Sequence, residues 1–395
     1  MFVDEEKALQ YKKMVKRGFR CVGRNSLFDA EIMVGTSAFG GLYVSSSDED
    51  CYEVVQRCLE LGWRRFDTAP HYGLGVSEER LGKALNRLWR EKRELFRHKP
   101  LIYTKVGRVI HERGNFKFED TGRVDRHSLP GSIFKDAPKD RFAVMDFTGQ
   151  GILRSMGDSS KRLNFLELED DDDDSSSQQR DYENEAGYPC IFGLRVHDPE
   201  VTRDLEAEAF NYGFAALRTF PGIEISIGTN DIRVAEKALP VVDAILLANR
   251  FNLLDQSGSA LLREALAKGV PVHLAGVYAS GLLAGGNTFA YSTDVPPEKR
   301  QKLHQWSKFL EDHYPALSLK MLALAFAFIP QAVTHVVIGL RNLQEVNETN
   351  TMLTNLKQYD NTFWLGLFTR ANDLNLINPL AFNAIIEPRL NNNAQ

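Results

Sequence analysis

Cysteine is scarce in this 395-residue chain, and the four present (Cys21, Cys51, Cys58 and Cys190) fall at no metal-type or redox-type pair spacing. A disulfide framework is not expected in a chain of this size, and the thiols read as reduced and mostly buried. Cys51 and Cys58 are seven apart in a helical stretch and share one face, which is packing rather than reactivity. Long apolar runs are missing too: none approaches the ~20 residues a bilayer span requires without a charge or proline in it. A membrane partner is therefore not expected. Positive charge is not in surplus, the formal net charge being -5, so a nucleic-acid surface is not expected either. The opening MFVDEEKALQYKKMVKRG has acids early and no apolar run, unlike a secretory signal or transit peptide. The expected compartment is the cytosol, and nothing in the sequence selects an oligomeric state.

What is present is enough apolar residue, 43%, for a large core. Strand-like runs alternate with helical-period segments from about residue 32 onward, the pattern of parallel βαβ units. Strands are expected at Glu31 to Gly35, Arg65 to Asp67, Leu101 to Val106, Cys190 to Val196, Ile223 to Gly228, Ala244 to Leu247, Val270 to Ala275 and Thr334 to Gly339. Eight such strands favour a closed (β/α)8 TIM barrel over an open sheet. Ser47 is a cap for a helix over Asp48 to Leu61 with Gly62 behind it, and Ser259 to Lys268 stops at Gly269. A helix begins near Ser77, with Glu78 and Glu79 in the first turn where the macrodipole favours acids. Thr148 to Leu163, Glu200 to Leu217, Asp231 to Leu239 and Asn342 to Leu353 fill further crossovers; Pro297 to Tyr314 and Ser318 to Phe328 form an additional helical pair.

Two segments break this rhythm. Gly107 to Asp146 is a long, charged βα loop after the third strand, on the carboxyl face where barrels do chemistry, and is expected to cover part of the site. Glu167 to Gly187, ELEDDDDDSSSQQRDYENEAG, is an acidic insertion before the fourth strand that cannot bury enough apolar surface to order itself. The expected organisation is an N-terminal extension over 1–26, a single barrel over 27–380 and a tail over 381–395, all one α/β domain.

The chemistry-bearing stretch is RRFDTAPHYGLGVSEERL, residues 64–81, where a short strand ends in Asp67 and a turn carries Tyr72 back over it. LIYTKVGR places Lys105 at the end of the third strand, and CIFGLRVHDPE places His197 at the end of the fourth. Asp67, Tyr72, Lys105 and His197 thus converge on one barrel mouth. A phenol of reference pKa about 10 is a poor acid or base at neutral pH. An adjacent ammonium is expected to favour the phenolate, with Asp67 keeping Lys105 charged and aimed, and His197 can hydrogen-bond the reacting oxygen.

FDTAPHYG followed by SEERLG, then TKVGR and LRVHDP, resembles the aldo-keto reductase superfamily, whose catalytic set is an Asp, a Tyr five later, a Lys and a His. DFTGQGILRS, VDAILLANRFNLLDQ and VYASGLLAGG are similar to its group of D-threo-aldose 1-dehydrogenases, L-fucose dehydrogenases and pyridoxal 4-dehydrogenases. The resemblance implies a nicotinamide dinucleotide, NAD or NADP, with no Rossmann fingerprint needed, and no G-x-G-x-x-G follows a strand here. It implies that Thr229 and Asn230 hold the nicotinamide carboxamide. Ala248 or Asn249 stands where many relatives have a glutamine, and Ala275 or Gly276 where they have a stacking aromatic. VVIGLRNLQEVNE resembles the adenosine-phosphate segment, so Gly339, Arg341, Asn342 and Glu345 are expected at the cofactor. Arg341 would pair with a 2'-phosphate, while Glu345 would repel it and suit a free ribose hydroxyl, which tips the expectation toward NAD. The implied activity is an NAD(P)-dependent aldose dehydrogenase, oxidising a cyclic hemiacetal such as L-fucose or D-arabinose to its lactone. The alternatives are a general aldehyde reductase using NADPH and a non-catalytic binding subunit.

Overall fold

The computed structural model describes residues 30–115, 123–126, 133–164, 190–290 and 292–391. The expected extension over 1–26 and the acidic insertion over 167–187 lie outside them. Eight parallel strands close into a barrel: β1 (Glu31–Gly35), β2 (Arg65–Asp67), β3 (Leu101–Val106), β6 (Cys190–His197), β7 (Glu224–Thr229), β8 (Ala244–Ala248), β9 (Val272–Ala275) and β10 (Val333–Gly339), in the ring order β1-β10-β9-β8-β7-β6-β3-β2. The remaining two strands, β4 (Arg108–Glu112) and β5 (Arg141–Met145), form an antiparallel hairpin. That hairpin lies inside the segment expected to be a loop. Its strands were hidden because their partners are some thirty residues apart, with charged residues rather than a short turn signal between them.

Contacts divide the chain into two compact units. One spans Met33–Ile225 and Gly339–Asn347. In it, Gly35 pairs with Asp67, Asp67 with Tyr103, and Lys105 with Arg195, so the register puts Asp67, Lys105 and Arg195 on neighbouring strand ends. Helix α1 (Asp48–Glu60) starts in a capping box, Ser47 accepting from the Asp50 N–H while the Asp50 carboxylate accepts from Ser47. Helix α2 (Val76–Glu91) starts behind Gly75, in the left-handed region at φ 93°. Glu78, placed by sequence in its first turn, has a second role: its buried carboxylate pairs with Arg162 at 2.7 Å on helix α3 (Gly149–Leu163) and accepts from Thr104 of β3. One carboxylate thereby ties two helices to the strand that carries Lys105.

The single helix expected over Glu200 to Leu217 is broken. Thr202 caps a later start by accepting from the Leu205 N–H, and a π-turn over Ala209–Gly213 separates the α-helical pieces Arg203–Glu208 and Phe214–Leu217. The Glu208 carboxylate leaves the helix to accept from the Phe147 N–H at 2.9 Å and from Arg123. A π-turn inserts one residue and shifts the helical phase, a change that a segment this short does not reveal in its pattern.

In the other unit, which takes in Ser226–Ile338 and Glu348–Gln395, β8 pairs with β7 and β9, and β9 with β10. The helix over Ser259–Lys268 ends at Gly269 with φ 68°, as its glycine signal indicates. Within the stretch expected to be a tail, residues 382–386 form a π-turn that buries Phe382, Ile385 and Ile386.

Candidate functional site

The loop that carries Tyr72 is held by close backbone approach and by a chain of buried hydroxyls. A Cβ on Gly40 would lie 2.5 Å from the Tyr72 carbonyl carbon, and one on Gly73, itself at φ 67°, would lie 2.5 Å from the Gly40 oxygen. Only glycine fits at both positions, and the Gly40 and Gly73 backbones pass each other there. Beneath them Ser77 Oγ donates to the Thr36 carbonyl at 2.7 Å and lies 2.9 Å from Thr36 Oγ1 and 3.0 Å from Thr68 Oγ1, while Thr36 Oγ1 donates to the Asp67 carbonyl at 3.1 Å. The sequence TAPHYG is thus pinned at both ends.

The four residues expected at one mouth come together. Lys105 Nζ donates to Asp67 Oδ2 at 2.5 Å, to the Thr68 carbonyl at 2.8 Å and to Tyr72 Oη at 3.0 Å. The rings of Tyr72 and His197 stand edge to face with centroids 6.3 Å apart. A second cation, unforeseen, shares the carboxylate: Arg195 Nε donates to Asp67 Oδ1 at 2.9 Å, and Glu224 lies 4.0 Å behind Arg195. Lys105 and Arg195 against Asp67 and Glu224 form a buried set of two positive and two negative groups. A signal for Arg195 was available: it lies two residues before His197 on one strand, so both face the same way.

A further set of charges arrives from the excursion after β3. Arg108 Nη1 donates to the His197 carbonyl at 2.9 Å, and Arg108 Nε donates to Asp125 Oδ2 at 2.6 Å. Asp125 Oδ2 also lies 3.1 Å from His71 Nδ1, and Asp198 lies 3.3 Å from His197 Nε2. Phe134 packs on both rings of the HY pair, 5.2 Å from His71 and 5.9 Å from Tyr72 between centroids. Nothing at local spacing reveals these contacts, since Arg108, Asp125 and Phe134 meet only through the fold of the hairpin.

The electrostatics depart from one expectation. Burial, then the Asp67 and Asp198 carboxylates, push the Tyr72 phenol well above its usual value, against the lowering by Arg195 and Arg108. The ammonium 3.0 Å away does not produce a phenolate, because Asp67 already neutralises it and because charging a buried phenol costs desolvation. Burial lowers Lys105, with Asp67 opposing. Burial first, then Arg108 and Lys105, hold His197 well below its ordinary value, so its ring is neutral at neutral pH.

The expected cofactor residues divide between the two units. Gly339, Arg341, Asn342 and Glu345 belong to the unit that holds the four. Asn342 Oδ1 accepts from the Glu345 N–H at 3.0 Å and Glu345 Oε2 accepts from the Arg341 N–H at 2.8 Å, which starts the helix over Leu343–Leu356. Arg341 Nε is buried and has no hydrogen-bond partner among the described residues. An unpartnered buried guanidinium nitrogen at a helix start fits an anionic group such as a dinucleotide phosphate. In the other unit, Thr229 Oγ1 accepts from the Asp231 N–H, the Asn230 carbonyl accepts from Arg250, and Asn249 sits in the left-handed region at φ 61°. A Cβ on Gly276 would lie 2.1 Å from Asn249 Oδ1, so no aromatic side chain fits at position 276 while Asn249 stands where it does.

The pattern of the aldo/keto reductase family matches residues 31–166 and 223–364. The chain is 29% identical over 351 residues to a pyridoxal 4-dehydrogenase of Microbacterium luteolum, covering 83% of this chain and 91% of that protein. It is 28% identical to a D-threo-aldose 1-dehydrogenase of a Pseudomonas species, covering 77% and 83%, and 24% identical to the L-galactose dehydrogenase of Arabidopsis thaliana, covering 87% and 90%. Among solved structures, an aldo-keto reductase from Bacillus halodurans superposes with a TM-score of 0.54 at 18% identity, covering 82% of this chain and 86% of that one, which is likeness of fold.

Proposed function

Because the chain belongs to the aldo/keto reductase family and is therefore an NAD(P)-dependent oxidoreductase, we propose that it oxidises an aldose, as the cyclic hemiacetal, to the corresponding lactone. The observation that carries this reading is Lys105 Nζ, which contacts Asp67 and Tyr72 Oη together while His197 faces the same phenol. The choice of an aldose rests on the resemblance to the aldose and pyridoxal dehydrogenases named above. L-Fucose and D-arabinose are the first sugars to offer.

A nicotinamide held at this site would supply the acceptor for the hydride of the hemiacetal carbon and, in its oxidised form, a positive charge. The protein's part is to place and move the proton. For oxidation Tyr72 must first lose its own proton to solvent, which the Lys105 ammonium and the positive charge of an oxidised nicotinamide favour against burial; Tyr72 Oη then takes the hydroxyl proton while neutral His197 orients the reacting oxygen by a hydrogen bond. Asp67, itself held by Arg195, keeps Lys105 in place and favours its ionised form against burial and the Arg195 charge. Arg341 would hold a phosphate of the dinucleotide. NAD is preferred over NADP, because the Glu345 carboxylate is fixed beside Arg341, where a 2'-phosphate would meet a like charge.

The raised Tyr72 supports a second reading. A phenol kept protonated is ready to donate, which is the requirement of carbonyl reduction, so an aldehyde reductase using NADPH is the competing assignment. Among the described residues no helix is long and apolar enough to cross a membrane; the compartment we propose is the cytosol. Formation or loss of reduced nicotinamide with L-fucose, D-arabinose, L-galactose, pyridoxal and benzaldehyde, each with both cofactors, tests the assignment. Turnover of sugars with NAD supports it; turnover confined to aldehydes with NADPH replaces it by the reductase.

A further inference from the structure

His71 is the polar ring of the site for which the four-residue chemistry has no use. It immediately precedes Tyr72, and its ring stands edge-on to that of His197 at 5.9 Å and lies 6.3 Å from that of Tyr72 between centroids. The three rings therefore surround one small region. His71 Nδ1 lies 3.1 Å from Asp125 Oδ2, and Asp125 is itself anchored by Arg108 at 2.6 Å. Against burial, which raises it, the His71 and Arg108 partners hold the Asp125 carboxyl far below the usual range, so it is an acceptor only. The 3.1 Å contact is not aligned as a full hydrogen bond, but a proton on Nδ1 is favoured beside an ionised carboxylate, and that tautomer leaves Nε2 of a neutral His71 as a lone-pair acceptor. Burial holds His71 neutral, as it does His197.

A simple aldehyde brings one oxygen, and that oxygen is already served by Tyr72 and His197. It has no donor to offer a third, acceptor ring. A hydroxyl on the carbon next to the reacting one is such a donor, and a substrate lacking it leaves Nε2 desolvated and unpaired. We propose that His71, aimed by the Asp125–Arg108 pair, accepts a hydrogen bond from the hydroxyl vicinal to the reacting carbon, and so selects 2-hydroxylated substrates over plain aldehydes. This deepens the aldose reading and rests on the same site. It does not depend on the direction of the reaction, since a 2-hydroxyaldehyde and an aldose present the same hydroxyl.

The test compares kcat/KM for DL-glyceraldehyde and propionaldehyde in reduction, and for L-fucose and its 2-deoxy counterpart in oxidation, in the wild-type protein, His71→Phe and Asp125→Asn. His71→Phe keeps a ring against Phe134 and His197 and removes the acceptor. The wild-type enzyme is expected to favour the hydroxylated member of whichever pair it turns over by tenfold or more. That ratio is expected to fall at least tenfold in His71→Phe, chiefly through KM, and less in Asp125→Asn. Equal loss on both members of a pair, or an undiminished ratio, overturns the role of His71. Wild-type turnover of the aldehydes alone refutes the aldose reading while leaving the glyceraldehyde ratio to decide this one. Nicotinamide-nucleotide binding, read by quenching of protein fluorescence, confirms that each variant is folded.

Discussion

Two charge clusters flank the Tyr72–His197 pair, and they were built differently. Asp67, Lys105 and Arg195 stand on adjacent parallel strands, where register alone brings them together. Arg108, Asp125 and His71 stand on a hairpin strand, an excursion and a turn, and meet only when the chain after β3 has folded back. The first cluster touches the atom that moves a proton; the second touches His197 through its carbonyl and His71 through its ring nitrogen. The contrast divides labour in the account: strand-borne charges carry the chemistry and loop-borne charges carry selection. That division is open to experiment.

The harshest break is Asp67→Asn. It leaves Lys105 and Arg195 buried without their shared carboxylate, and removing one partner of a buried ion pair costs about 3–5 kcal/mol. Urea unfolding should show that loss together with near-complete loss of turnover. Asp125→Asn breaks the other cluster and should cost less, about 1–3 kcal/mol, since Arg108 keeps its bond to the His197 carbonyl. Its larger effect is expected on KM. If Asp125→Asn destabilised the protein as much as Asp67→Asn, the two clusters would not differ as described.

Acid sharpens the comparison further. His71 and His197 both have folded-state values depressed below the ordinary one, so as pH falls through about 6.5 the unfolded chain binds their protons first. The stability associated with them is fully present above that pH and is lost below it. The Asp125 carboxyl, also depressed, contributes stability that is present above the carboxylate range and lost only in stronger acid. Thermal melts should therefore fall from pH 7.5 to 5.5, and His71→Asn combined with His197→Asn should flatten that fall. An unchanged slope in the double variant would assign the acid sensitivity elsewhere. The smallest effect lies at the helix start: Glu345→Gln should improve the kcat/KM ratio for NADP over NAD by about tenfold, equivalent to about 1.4 kcal/mol.

The same contrast explains what could be read from the chain. Asp67, Lys105 and His197 were legible because each ends a short apolar run, and a run that ends in a charge places that charge at a strand's mouth. Arg195 is legible by the period of two, yet LRVH reads as a buried strand, in which arginine is rare without a partner elsewhere. Asp125 and Phe134 were not legible, for the hairpin that carries them closes across residues distant in sequence and has no alternation strong enough to mark its strands. The sign of the Tyr72 shift is not legible for a related reason. An ammonium beside a phenol can be inferred from a motif, but the burial and the second carboxylate, Asp198, that outweigh it come from packing.

In the proposed reaction Tyr72 moves the proton while Lys105 and Asp67 only support it, and Tyr72→Phe tests that most directly. With the substrate and cofactor that the wild-type enzyme turns over fastest, kcat should fall by about 10²–10⁴-fold, the range for loss of a general acid or base. Dinucleotide affinity, measured by fluorescence quenching on the same preparation, should stay within a factor of about two, well under the tenfold that corresponds to about 1.4 kcal/mol. A Tyr72→Phe protein that keeps wild-type kcat with its cofactor bound would contradict the assignment.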